Sequence, residues 1–386
     1  MGARASRRRR RGARPLNAAG EPHLRRLALV GSGRVTLGLL RGLGRSIVRG
    51  LEIVLVTADR EHYVASASSA LLRGAYSLDE MRVDVAAIAE RAGARVVWEH
   101  ATSLDLGSRT LHAGDERILF DVCVLDEVGP PSGASLPGVM AHTIPLRPIA
   151  VLPEARRELD ARLAGHAGPV RCTVVGAGRR GVECAFALQR MLSARADGGV
   201  VTIVDGAPHI LERAASCREL AHRALERMGV CFAIGTRVVE VRADAAVLAS
   251  GAELSSDLVI WATEGAPSPL IAASGLPHDA HGRLLVDRDL RSEDGAPVWA
   301  AGDCAAVAGA TASPERQLAT IERSLRTTLG APRRAAGRAR SAAPCLIDTG
   351  DGRAILRWGT LTAWSHLAWA LKRRRDRRLV TGLATP

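Results

Sequence analysis

A short apolar run that ends in Gly-x-Gly and opens into a segment of helical apolar spacing occurs twice in this chain of 386 residues. Residues 27–30 suit a buried parallel strand, Gly31-Ser32-Gly33 a tight turn, and Val35, Leu39 and Leu40 a helix. A second strand follows over Leu51–Val56. The same order returns as strand Val170–Val175, turn Gly176-Ala177-Gly178, helix 182–192 and strand 200–204. Strand, glycine turn, helix and strand make one βαβ unit. Two copies so far apart predict two similarly built domains, not a short-period solenoid.

A turn of this kind suits a phosphate group for a physical reason. Small residues let the backbone approach a pyrophosphate, and the helix N-terminus supplies N–H donors and the positive end of its dipole. Gly31 and Gly33 meet that need, and Thr36 at the third position is small enough for close helix packing. Thr57 stands at the end of the second strand where an acid would grip a ribose, and Asp59 lies two residues on. A purely structural glycine turn is the alternative reading here. The second turn is complete, with Gly176, Gly178 and Gly181, and its second strand ends in Asp205. Asp205 is placed to accept hydrogen bonds from both hydroxyls of an adenosine ribose and to repel a 2′-phosphate, which favours NADH. Arg179 and Arg180 within the turn keep NADPH open.

The rest of the composition mostly excludes. The formal charge of +13 resides largely in basic blocks at 7–11 and 372–378, with no aromatic residues interleaved, so a nucleic-acid platform is not indicated. Lys372 is the only lysine. No apolar stretch approaches the roughly 18 residues of a membrane-spanning helix. Seven cysteines without a Cys-x-x-Cys pair point away from a disulfide scaffold and toward the cytoplasm. The histidines show no metal-ligand spacing, and no metal is expected. Short strands fill 95–125 and 230–263. A helix is expected over 83–94, strands over 282–286 and Val298–Ala300, and a helix over 315–329.

Two later segments extend the pattern: LVIWATEG (residues 258–265) and VWAAGD (residues 298–303). With both glycine turns, in this order, they resemble the FAD- and NAD(P)-binding superfamily of pyridine nucleotide-disulfide oxidoreductases. The likeness covers about residues 24–330. Within it the chain looks like the branch of type II NADH dehydrogenases and the flavoproteins associated with selenophosphate synthetases. GAYSLDEMRVDV (74–85), PLRPI (145–149), DTGDGRAI (348–355), LKRRRDRRLV (371–380) and Glu183 in GVE carry that likeness.

The resemblance implies an α/β fold of two Rossmann-like dinucleotide-binding domains, the FAD domain discontinuous, plus a small C-terminal element. The implied organisation is a disordered basic tail over 1–22, an FAD-binding domain over 23–144 and 266–330, and an NAD(P)-binding domain over 145–265. A linker spans 331–344, and the C-terminal element spans 345–386. Gly31, Gly33 and Thr36 would cradle the FAD pyrophosphate, Asp303 would hold the ribityl chain, and Gln317 would face the flavin pyrimidine edge. Gly176, Gly178, Gly181, Glu183 and Asp205 would serve the nicotinamide nucleotide. The expected reaction is hydride transfer from NADH to FAD, then electron delivery to a quinone or similar acceptor.

Some positions depart from the branch. VASASS (64–69) replaces its bulky flavin-side stretch, Glu264 stands where a glycine usually follows Ala-Thr, and Cys304 follows Asp303 as a small core residue. These departures leave a second reading open, a non-catalytic nucleotide-binding or sensor protein that keeps the fold. Leu361, Trp364, Leu367, Ala368 and Leu371 are expected on one face of a helix that ends in basic residues. Such a helix suits peripheral contact with the inner face of a membrane; packing of its Trp face on the flavin domain is the alternative. The oligomeric state is not legible.

Overall fold

Apolar runs without a polar face must be covered on both sides, and this chain covers them twice in the same way. The computed structural model describes residues 25–44, 50–127, 129–266, 268–307, 313–329 and 344–384. The tail at 1–22 and all of the expected linker except Pro344 lie outside the described residues.

One five-stranded sheet has the order Val298–Ala300, Val122–Leu125, Arg25–Val30, Leu51–Val56, Arg95–Val97, with every neighbouring pair parallel. The other has the order Thr143–Pro145, Leu258–Trp261, Val170–Val175, Gly199–Asp205, Cys231–Ile234, again all parallel. In both, the strand bearing the glycine turn is central, and its helix (Arg34–Gly44 or Arg179–Ser193) packs back over the sheet. The duplication runs further than the glycine turns. After Arg95–Val97 comes a three-stranded antiparallel sheet of Ala101–Asp105, Thr110–Ala113 and Glu116–Leu119. After Cys231–Ile234 comes its counterpart of Val238–Val241, Ala245–Leu248 and Glu253–Ser255. With aromatics at only 3%, the cores are built mainly of Leu, Val, Ile and Ala, and Trp261 and Trp299 are the largest fully buried side chains.

Three expectations require correction. The helix expected over 83–94 is split into a strand, Arg82–Asp84, paired with Glu61–Tyr63, and a shorter helix, Val85–Arg91. Asp84 causes the break, because its carboxylate caps the helix by accepting the Ala87 N–H at 3.0 Å. The strand expected over 282–286 shrinks to Leu284–Leu285, paired with Ala305–Ala306. At the C-terminus, Leu361 and Trp364 do not share a helical face with Leu367, Ala368 and Leu371. They lie on the strand Leu361–Ser365, the last of an antiparallel sheet with Ala354–Trp358 and Cys345–Asp348, and the helix starts only at His366. Gly359, at φ +59°, turns the chain between those strands.

A buried polar network holds the C-terminal element to both halves. Lys372 on the helix His366–Ala384 pairs with Asp376 at 3.0 Å, lies 3.9 Å from Glu183, and donates to the Ser66 carbonyl. Asp376 also accepts from the hydroxyls of Ser66 (2.7 Å) and Tyr76 (3.2 Å). Arg73 pairs with Asp348 at 3.2 Å and lies over the Trp369 ring, which stacks on Tyr76. Burial alone would push the Lys372 ammonium down, yet Glu183, Asp376 and Asp348 together hold it above the ordinary lysine range.

Removing one partner of a buried pair strands the others, which typically costs about 3–5 kcal/mol. Lys372→Ala is expected to lower stability by that amount in guanidinium unfolding. Arg377→Ala, which breaks only the half-exposed pair with Glu80, is expected to cost about 1 kcal/mol or less.

Candidate functional site

The second glycine turn is held open. Gly176, at φ +109°, donates its N–H to the Val204 carbonyl at 2.8 Å, and an added Cβ would lie 2.9 Å from the Ala262 carbonyl oxygen. A side chain at Gly181 would overlap the Gly176 carbonyl, so glycine there lets the helix meet the turn. Gly178 has open space above it, and the helix it precedes has no side-chain cap. Those first N–H groups are the free donors a diphosphate needs. Asp205 braces the turn by accepting from Ala177 N–H at 2.5 Å and Ala207 N–H at 2.7 Å.

The first turn has the same backbone and a different occupant. Gly31, at φ +91°, bonds the Val56 carbonyl at 2.9 Å, and Ser32 donates to Asp59 at 2.9 Å, mirroring the Ala177–Asp205 contact. Here, however, the helix N-terminus is already taken. The Asp126 carboxylate accepts the N–H groups of Val35 and Thr36 at 2.8 and 2.9 Å and fills the space beside Gly33. Asp126 holds the position that Ala262 has in the other half, each carbonyl packing over the first glycine of its turn. Burial pushes the Asp126 carboxyl up to about 6.

Side chains from both halves meet between the turns. Arg147, in the PLRPI segment, pairs with Asp303. Arg180 of the second turn lies close enough to sense both. Burial and then Arg147 push its guanidinium down to about 9, which leaves it charged at neutral pH. The Nε atoms of Arg147 and Arg180 are buried without a hydrogen-bond partner, as is Nε2 of His62 on the first turn's cleft. Burial, reinforced by Arg34, pushes the His62 imidazole down to about 4. Such orphaned buried atoms are where a polar ligand would find partners.

The remaining expected residues are placed as follows. Gln317, near the start of the helix Pro314–Thr328, accepts the Gly302 N–H at 2.9 Å and so fixes the turn that carries Asp303. Glu183 turns to the C-terminal element, accepting the Asp348 N–H at 2.9 Å, and burial pushes it up to about 7. Thr36 is buried in the first turn of its helix. Cys304 is buried against the Glu127 carbonyl with its thiol pushed up by burial, as a core residue would be. Arg179 points to Cys345, at 3.7 Å. Beside the Asp205 end lies Arg237, whose side chain packs against Gly206. Asp126, Arg147 and Arg237 had no role in the sequence reading. For Asp126 a signal existed, since aligning the two copies sets it against Ala262. No candidate metal cluster occurs among the described residues.

Two glycine turns of one geometry, each on the central strand of a parallel sheet, are the mark of a fold built from two dinucleotide-binding units. A family model for pyridine nucleotide-disulphide oxidoreductases matches residues 25–328, and the chain belongs to that family. It is similar to the mitochondrial internal alternative NAD(P)H-ubiquinone oxidoreductase A1 of Arabidopsis thaliana, with 27% identity over 223 residues, 53% of this chain and 44% of that protein. It is similar also to the demethylphylloquinone reductase NdbB of Synechocystis, with 28% identity over 194 residues, 49% of this chain and 47% of that protein. The chain thus spans a little under half the length of these two relatives. The sulfide:quinone oxidoreductase of Aquifex aeolicus shares the fold, with a TM-score of 0.78 at 16% identity over 94% of this chain and 93% of that one.

The residues at the second turn fit a nicotinamide dinucleotide. Those at the first fit FAD with one conflict, since ionised Asp126 competes with a diphosphate for the same donors. Protonation below about pH 6 removes that charge. FAD uptake by the apoprotein, followed by flavin fluorescence, is therefore expected to weaken as pH rises through about 6. Asp126→Asn should bind FAD with little dependence on pH in that range.

Proposed function

We propose that this chain is an FAD-dependent NAD(P)H oxidoreductase that passes electrons to a quinone or a similar acceptor. The observation that carries the reading is the meeting of Arg180, at the start of the second turn's helix, with Arg147 and Asp303. It sets charged side chains of the two halves beside one another. Bound FAD supplies the two-electron chemistry, and the chain supplies binding, orientation and charge. Gly31, Gly33 and Asp303 hold the flavin nucleotide, while Gly176, Gly178, Gly181 and Asp205 hold the nicotinamide nucleotide. Arg147 and Arg180 place positive charge where the two meet. The family match and the relatives named as NAD(P)H-ubiquinone and demethylphylloquinone reductases support this reading.

NADH is the preferred donor because Asp205 opposes a 2′-phosphate, and Arg237 beside it gives NADPH a secondary foothold. Purified protein is expected to be yellow and to bleach anaerobically with NADH, and more weakly with NADPH. Arg237→Ala should weaken NADPH binding roughly tenfold, the loss of one charge-assisted contact, with little change for NADH. A protein that cannot be reconstituted with FAD supports the second reading, a non-catalytic nucleotide-binding protein. That reading is favoured by the Asp126 contact.

The acceptor side lies at the C-terminal element. Trp358 and Leu361 flank the turn between two of its strands, Leu367 and Leu371 follow on the helix, and all four are exposed. Arg373, Arg374, Arg377 and Arg378 line a groove on the same helix. Among the described residues no helix is long and apolar enough to cross a membrane. Apolar side chains beside clustered arginines suit peripheral contact with an anionic bilayer. Flotation with anionic liposomes is expected at low salt and reduced at high salt, because salt screens surface attraction.

A further inference from the structure

No two cysteines of this chain form a Cys-x-x-Cys pair, yet the fold brings two distant ones together. Cys217 is buried on the helix Ala215–Arg227, and Cys345 is half-buried at the start of the strand Cys345–Asp348. The helix packs on that strand and sets the two thiols side by side, close enough to interact. The Arg179 guanidinium donates to the Cys345 sulfur at 3.7 Å, and Arg375 lies alongside, donating to the Pro344 carbonyl at 3.2 Å. The hydrogen bond from Cys217, then Arg179 and Arg375, hold the Cys345 thiol below the ordinary thiol range against its burial. The bond to Cys345, together with burial, pushes the Cys217 thiol up. Cys345 is thus the partner favoured as thiolate and Cys217 the partner favoured as thiol, the forms that suit an attacking and a resolving cysteine.

The buried Cys123, Cys172, Cys184 and Cys304 differ, because burial pushes each thiol up. Cys231 is exposed on the strand Cys231–Ile234. Only at Cys345, among these described residues, do a partly accessible sulfur, neighbouring guanidiniums and a second thiol coincide.

We propose that Cys217 and Cys345 form a thiol–disulfide exchange site that reacts with low-molecular-weight disulfides and reversibly bonds the second half of the fold to the C-terminal sheet. The Cys345 thiolate attacks one sulfur of the small disulfide, forming a mixed disulfide and releasing one thiolate. Cys217 then attacks the Cys345 sulfur, losing its proton to the second leaving thiolate, which departs as a thiol. The two cysteines are oxidised by two electrons, and the small disulfide takes up both. The step needs no flavin, so it stands apart from the proposed redox reaction.

The test uses the full chain carrying Cys231→Ser, which removes the exposed thiol. The protein is equilibrated with mixtures of reduced and oxidised glutathione, quenched in acid, alkylated and mapped by mass spectrometry. Cys217 and Cys345 should lose their alkylation together, with no glutathione retained and their two peptides linked. Adding Cys217→Ser should stop the reaction at a glutathione adduct on Cys345, and adding Cys345→Ser should abolish it. In the unsubstituted protein, iodoacetamide labelling of Cys345 should reach half its maximal rate at a lower pH than the roughly 8.5 of a free cysteine. The proposal is overturned if both thiols survive oxidised glutathione, if the adduct persists on Cys345 with Cys217 intact, or if Cys345 labels as a free cysteine does.

Discussion

In each half, a strand hands over to its helix only because a backbone carbonyl stands where a side chain would otherwise be. The Asp126 and Ala262 carbonyls crowd Gly31 and Gly176, and the Gly176 carbonyl crowds Gly181. The turns then close through N–H bonds from Gly31 to Val56 and from Gly176 to Val204. Because the chain turns so tightly, each helix begins at the end of its own central strand. Its first N–H groups point into the space beyond the sheet edge. Arg180 comes near Arg147 and Asp303 from that position, so the meeting of charged side chains from the two halves follows from glycine placement.

The two halves share this backbone and differ in electrostatics. Where the second has Ala262, a methyl group without charge, the first has Asp126, which accepts the Val35 and Thr36 N–H groups and adds an ionisable group at a nucleotide-binding end. A single side chain therefore separates an open donor set from an occupied one. The acid is not isolated, since Asp303 disfavours its ionised form while Arg34 favours it. The first half is thus the more sensitive of the two to its protonation state.

How much of this could be read from residues alone follows from the range of each interaction. The central strands were legible because burial on both faces leaves uninterrupted apolar runs, and the turns because glycine is needed there locally. The meanders were legible only as strands, and their role as matching parts of a duplication emerged from the sheet order. Contacts between distant segments were hidden. Asp126 caps a helix far upstream, Gln317 reaches Gly302 across a loop, and Cys217 meets Cys345 only after the C-terminal sheet has docked. Leu361, Trp364, Leu367 and Ala368 fit a helical spacing well enough to mislead. The turn at Gly359 and the pairing with Ala354–Trp358 decided for a strand, and neither is visible from spacing.

The buried Lys372 has an effect on the outside of the molecule as well as within it. It is the only lysine in the sequence, and the network around Asp376 and Glu183 removes it from solvent. The folded surface therefore draws its side-chain positive charge from arginine and offers no lysine ε-amino group to an electrophile. Acylating metabolites, amine-directed cross-linkers and lysine-modifying enzymes would meet guanidinium groups that do not react as amines do. Side-chain amine chemistry on this protein would instead report that the C-terminal helix has come away from the two halves it joins.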